Sequence, residues 1–137
     1  MIRTLALLAG TAGAVAGLDL AHKALEVSDR SSTVFVHSRS GLYVAVAAAA
    51  SLAWAVMVVR VGSMSITVAG GVVLGGALGN LASIALWPSL SGVPDTIVAG
   101  GIAFSAADVA VAVGFVMLIP AMAIFALRNR ERLFEQI

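Results

Sequence analysis

The sequence predicts an all-α membrane protein of four transmembrane helices, with a small extramembrane element, in part β, on the outer face. Three observations predict it. Of 137 residues, 61% are hydrophobic and 11% charged; the mean hydropathy is +1.06; and four apolar stretches approach or exceed the roughly 20 residues that a membrane-spanning helix needs. A soluble domain is about 45–50% apolar and about 25% charged. A chain this short buries only about 65% of its unfolded surface in a core of its own. The apolar excess therefore calls for lipid, and the length fits one domain over residues 1–137. Eight Lys and Arg against seven Asp and Glu leave a net charge of +1, so nucleic acid is not an expected partner. The absence of Cys excludes a disulfide framework, a zinc–thiolate site and a thiol nucleophile. It also excludes a lipid carried on a cysteine of this chain.

The spans are expected over residues 4–22, 42–59, 64–87 and 102–127. Only Arg60-Val61-Gly62-Ser63 separates the second from the third, which makes them a tight hairpin. Pro120 is expected to kink the fourth span without breaking it, because neighbouring groups can satisfy the carbonyl it frees. A cleaved leader is the competing reading of the start, with Arg3 as its basic region and Ala14-Val15-Ala16 as its cleavage site. The apolar stretch continues to Leu20, which favours a retained span. Basic residues set the orientation. Arg3, Arg60, Arg128, Arg130 and Arg132 fall on one side, and Lys23, Arg30 and Arg39 on the other, where Glu26 and Asp29 balance them. Both termini are therefore expected in the cytoplasm, with the loops 23–41 and 88–101 outside. In the first loop, Thr33-Val34-Phe35-Val36 between serine-rich flanks has the composition of a short strand. Trp87-Pro88 marks the outer end of span three, with the indole in the interfacial belt. Residues 128–137 read as a short amphipathic helix lying at the interface. Gly13 and Gly17, and Gly71, Gly75 and Gly79, recur every four residues, the spacing that lets helix backbones approach closely.

Ionisable groups within spans are costly and therefore mark function. Asp19 lies near the outer end of the first span. Asn80 precedes Trp87 by seven residues, about 10 Å of helix, and Asp108 lies at a similar depth in the fourth span. All three converge on the outer third of the bilayer, and Asp95 in the outer loop can fold over the same region. Two carboxylates at close range cannot both ionise cheaply, so the pair holds one proton. One can then activate a water while the other protonates the leaving group. The same residues are compatible with a proton or ion pathway, or with a structural contact from Asp108 to Asn80 or Ser105. A carrier should show paired discontinuous spans or an inverted repeat, and neither is visible. A scaffold should tolerate Asp108→Asn. His22 and His37 could be proton shuttles or ligands, but two lone histidines without further ligand-type neighbours read rather as interfacial polar residues, and Trp54 and Met57 as packing or lipid-facing. Arg39 reads as a solvated loop charge that is also able to hold a lipid phosphate or a substrate carbonyl.

Four segments together resemble the lipoprotein signal peptidase (signal peptidase II) family, four-span aspartic peptidases of bacterial membranes. Asp19-Leu20-Ala21-His22-Lys23 is similar to the family's D-Q-x-x-K, and Gly75-Gly76-Ala77-Leu78-Gly79-Asn80 to its G-G-A-x-G-N. Pro94-Asp95 occupies the place of its V-D-F aspartate, and Phe104-Ser105-Ala106-Ala107-Asp108 is similar to its F-N-x-A-D. The resemblance implies that Asp95 and Asp108 are the catalytic pair, supported by Asp19, Lys23 and Asn80. Gly41 matches the glycine of the family's N-x-G segment, and the resemblance implies that it, Arg39 and Ser105 also support the site or bind substrate. Arg39 stands where that segment has asparagine, Ser105 where F-N-x-A-D has asparagine, Leu20 where D-Q-x-x-K has glutamine, and Ser83-Ile84 where the third-span motif continues D-R. The implied reaction is cleavage of a diacylglyceryl-modified prolipoprotein just before its lipidated cysteine, with water as nucleophile and neither metal nor organic cofactor. The implied setting is the bacterial cytoplasmic membrane, where a multi-pass monomer meets membrane lipids and its lipid-modified substrate. The alternative expectation is a catalytically impaired relative that kept the scaffold, or a small proton-coupled membrane protein.

Overall fold

The computed structural model describes residues 1–30 and 34–131. Four helices are long and apolar enough to cross a membrane, and the chain is a multi-pass membrane protein. They are α1 (Ile2–Arg30), α2 (Gly41–Val61), α3 (Met64–Leu86) and α4 (Ala106–Arg128). Between α1 and α2 lies strand β1 (Phe35–Ser38). Between α3 and α4 lie a 3-10 turn (Pro88–Leu90) and strands β2 (Gly92–Asp95), β3 (Ile97–Ala99) and β4 (Ile102–Phe104). The strands form two antiparallel pairs, β1 with β2 and β3 with β4.

α3 is the central helix. Half of its apolar window is buried, against 11–17% for the other three. Its glycines explain the position. A Cβ at Gly71 or Gly75 would strike Thr11 or Val15 and the Ala12 carbonyl of α1; one at Gly76 would strike the Ala107 carbonyl of α4; one at Gly70 would strike Val58 of α2. Backbone can approach this closely only where side chains are missing. Ile66, Ala69 and Val73 then pack with Leu118 and Ala121 of α4, while Leu74 packs with Leu8, Ala12 and Val58. The Trp54 indole crosses from α2 to donate to the Gly70 carbonyl at 3.0 Å.

Several expectations are corrected. Helix α1 does not end at His22; good helix formers such as Lys23, Ala24, Leu25 and Glu26 carry it to Arg30, so the expected loop begins later. The fourth span begins at Ala106, because residues 102–104 form β4. Gly100 and Gly101 both have positive φ, 58° and 80°, which is the two-residue hairpin geometry that turns β3 into β4. The expected strand over Thr33–Val36 is displaced to Phe35–Ser38, and Thr33 lies outside the described residues. Gly13 and Gly17 do not pack against a helix: both are exposed, and a Cβ at either meets nothing. Four-residue spacing fixes a common face without saying which way that face points. Pro120 lies within an uninterrupted α4. Residues 132–137 of the expected tail helix, with Arg132, lie outside the described residues.

Candidate active site

The start of α4 organises the site. Ser105 is its N-cap, and Asp108 completes a capping box with it: Ser105 Oγ accepts from Asp108 N at 3.3 Å, and Asp108 Oδ2 accepts from Ser105 N at 2.8 Å. Such a box satisfies amides that the first helical turn leaves free. The Ser105 hydroxyl also lies 2.9 Å from Asp108 Oδ2 and 3.2 Å from Asn80 Oδ1, so its single proton chooses between them. Asn80 Nδ2 donates to Asp108 Oδ1 at 2.9 Å. Both oxygens of Asp108 thus meet donors, while the residue itself stays exposed. It opens on a cavity of about 400 Å³ between α2, α3 and α4, lined by Tyr43, Asn80, Leu81, Ile84 and Val93 among others.

Behind Asn80 lies a sealed ionic cluster. Asp19 and Lys23 are one helical turn apart on α1, 1% and 0% exposed, with Nζ 2.7 Å from Oδ2. This oxygen meets the ammonium as an ion pair outside hydrogen-bond geometry. Oδ1 accepts from the backbone amide of Ala107 at 2.8 Å, one of the free donors at the N-terminus of α4. The ammonium donates to Asn80 Oδ1 at 2.8 Å and to Ser83 Oγ at 3.0 Å. In turn Ser83 donates to the Gly79 carbonyl at 2.7 Å. Two carboxylates, one ammonium and three small polar groups therefore stitch α1, α3 and α4 at one depth.

Asp95 comes from the other direction. It ends β2, is 4% exposed, and its carboxylate contacts the His37 ring of β1. Burial pushes the Asp95 carboxyl above the ordinary carboxylate range. The hydrogen bond and charge of His37 oppose that rise, the charge of Asp108 adds to it, and Lys23 opposes it weakly. His22 of α1 bonds the adjacent Thr96 hydroxyl at 3.0 Å, closing the other side of the strand.

Asp19, Lys23, Asn80, Ser105 and Asp108 thus form one network of hydrogen bonds and an ion pair, with Asp95 in electrostatic reach of it. Arg39 and Gly41 do not join. The Arg39 guanidinium lies 4.7 Å from the Tyr43 ring centroid, and Gly41 is exposed at the start of α2 with open space where a Cβ would stand. Two residues emerge that the sequence did not assign to the site. Ser83 shares a helical face with Asn80, three residues away, a signal that was available. The role of His37 depends on strand pairing and carried no such signal. Among the described residues no cluster of three or more His, Asp or Glu could hold a metal ion. Comparison of the sequence with models of known protein families and with curated proteins finds no match.

Proposed function

We propose that this protein is a membrane aspartic endopeptidase of the signal peptidase II type. Its substrate class is diacylglyceryl-modified prolipoproteins, cut just before the lipidated cysteine in a bacterial cytoplasmic membrane. The observation that carries the reading is the placement of Asp108. It is fixed by a helix start, tethered through both oxygens and open to a mainly apolar cavity, and its charge adds to the rise of the buried Asp95 carboxyl. A cavity of that kind beside the Asp108 carboxylate suits a peptide bond whose neighbouring residue is anchored in lipid.

In this reading Asp95 holds the proton of the pair and Asp108 is the carboxylate. Asp108 takes a proton from a water as the water oxygen attacks the scissile carbonyl, and Asp95 gives its proton to the carbonyl oxygen. As the intermediate collapses, Asp108 passes its proton to the leaving nitrogen and Asp95 takes one back from a hydroxyl. Asp19, Lys23, Asn80 and Ser105 hold Asp108 in place. Because Asp95 must keep its proton, cleavage is expected to decline as pH rises through its elevated value. The sign for stability is the same: the folded chain binds this proton more tightly than the unfolded one, so the contribution is full at acid pH and lost as pH rises.

The test is incubation of the purified protein in detergent with a diacylglyceryl-modified prolipoprotein, read by gel shift. A lower-mass product is expected, and an uncut substrate beside folded protein overturns the reading. The proposed orientation, both termini cytoplasmic, is checked by cysteines placed at Ser63 and Ser89. The Ser63 position should label from the cytoplasmic face and the Ser89 position from the outer face.

A further inference from the structure

We infer that His37 is a positioning residue for Asp95, holding its carboxyl in place and exchanging its proton with the outer water. The inference rests on the peptidase reading above. The sheet register puts Phe35 opposite Asp95 and His37 opposite Val93. Opposed side chains of an antiparallel pair share a face, and the diagonal neighbour is within reach of a ring. His37 Nδ1 accordingly contacts Asp95 Oδ2. The imidazole is 46% exposed while the Asp95 side chain is 5% exposed, so one residue spans from solvent to the buried acid. Beside the imidazole lies a groove of about 290 Å³, lined by Phe35, Val98, Gly101, Ile102 and Ala103.

The other charged groups around Asp95 do not offer that route. From α1 comes Lys23, fully buried and committed to Asp19, Asn80 and Ser83. On the same helix, His22 is bonded to Thr96, and Glu26 lies one turn beyond it. From α4 comes Asp108, which opens on the interhelical cavity. Helix α3 and the 3-10 turn contribute no ionisable side chain. A neutral imidazole has one N–H and one bare nitrogen. A proton passing from Nδ1 to an ionised Asp95 is replaced by one taken from water at Nε2, so the ring ends neutral as its other tautomer.

The experiment measures pH profiles of prolipoprotein cleavage by purified protein in detergent. His37→Ala is expected to lower kcat roughly 10- to 100-fold with little change in KM, the pattern of a misplaced reacting group. Its alkaline limb should also move to higher pH, because the imidazole no longer opposes the effect of burial on Asp95. Free imidazole, entering the groove, should restore part of the rate to His37→Ala and none to Asp95→Asn. His37→Asn, which places an amide near the Nδ1 position, should recover carboxyl placement and fall between parent and His37→Ala. A rate loss with an unmoved limb and no imidazole rescue marks a merely structural contact and overturns the inference. If the parent itself cuts nothing, the peptidase reading fails separately, and nitrogen NMR of the His37 ring decides the contact without turnover. The ring resonances should move in Asp95→Asn; unmoved resonances overturn the inference.

Discussion

Asp19 and Asp108 lie within one polar network, held by hydrogen bonds and an ion pair, yet live in opposite circumstances. Asp19 is 1% exposed, and its oxygens meet an ammonium and a helix amide, both supplied by the chain. Asp108 is tethered just as firmly, by Asn80 and Ser105, but keeps a face on a cavity. Burying a charge is tolerable only when it is paired and hydrogen-bonded, and Asp19 meets that condition within the fold. Asp108 is anchored without being enclosed, which is what a group needs in order to act on something brought to it. The comparison separates a carboxylate that serves the scaffold from one that is free to do chemistry.

The strongest way to break this comparison is to remove the carboxylates to which the chemistry is assigned, the open Asp108 and the buried Asp95. Asp108→Asn and Asp95→Asn should each reduce cleavage by about 10³–10⁴-fold, and the double variant should lose little more, because members of one catalytic unit are not additive. Both single variants should insert and unfold close to the parent in a thermal melt. Near-full activity in Asp95→Asn would remove that residue from the pair. The next effect is on folding. Lys23→Met leaves Asp19 buried without its counter-ion, a loss of about 3–5 kcal/mol for a fully buried pair, read as a large drop in Tm. Adding Asp19→Asn to Lys23→Met should recover much of that loss, since no buried charge then remains.

What was legible in the sequence follows the range of the interactions. The spans were legible because roughly 20 consecutive apolar residues are a local signal, and α2 and α3 match their expected bounds closely. The inner end of the site was legible too. Helix pitch alone puts Asp19, Asn80 and Asp108 at similar depths, and the structure links Asp19 and Asp108 through Lys23, Asn80 and Ala107. The end of α1 was hidden because Lys23, Glu26 and Asp29 read as a polar loop, whereas Lys23 is neutralised by Asp19 within the helix. β2 was hidden by Pro94, which argues against a central strand but is admissible where every strand is an edge. Its partner β1 lies more than 50 residues away in sequence, so neither the register nor the meeting of His37 with Asp95 could be read locally. The Gly100-Gly101 hairpin was present as a signal and was overridden by the apolar run that follows it.

The glycines give the smallest effects and sharpen the comparison further. Beside the sealed carboxylate, a Cβ at Gly79 would lie 2.7 Å from Asp19 Oδ2. That oxygen cannot give way, because Lys23 and Ala107 hold the group. Gly79→Ala should therefore cost about 1–3 kcal/mol by overpacking. Gly41 lies on the open side, where an added methyl meets nothing within 4 Å and the backbone is already helical. Gly41→Ala should stabilise the fold by roughly 0.4–1 kcal/mol, through the lower freedom of the unfolded chain. Turnover should stay within about twofold of the parent, since kcat/KM falls only when an interaction made in the transition state is lost. The resemblance to signal peptidase II makes the opposite demand, because it places Gly41 among the residues that support the site. A raised Tm joined to a large loss of kcat/KM would mean that bound substrate presses against the Gly41 backbone, and the glycine would then belong to the site.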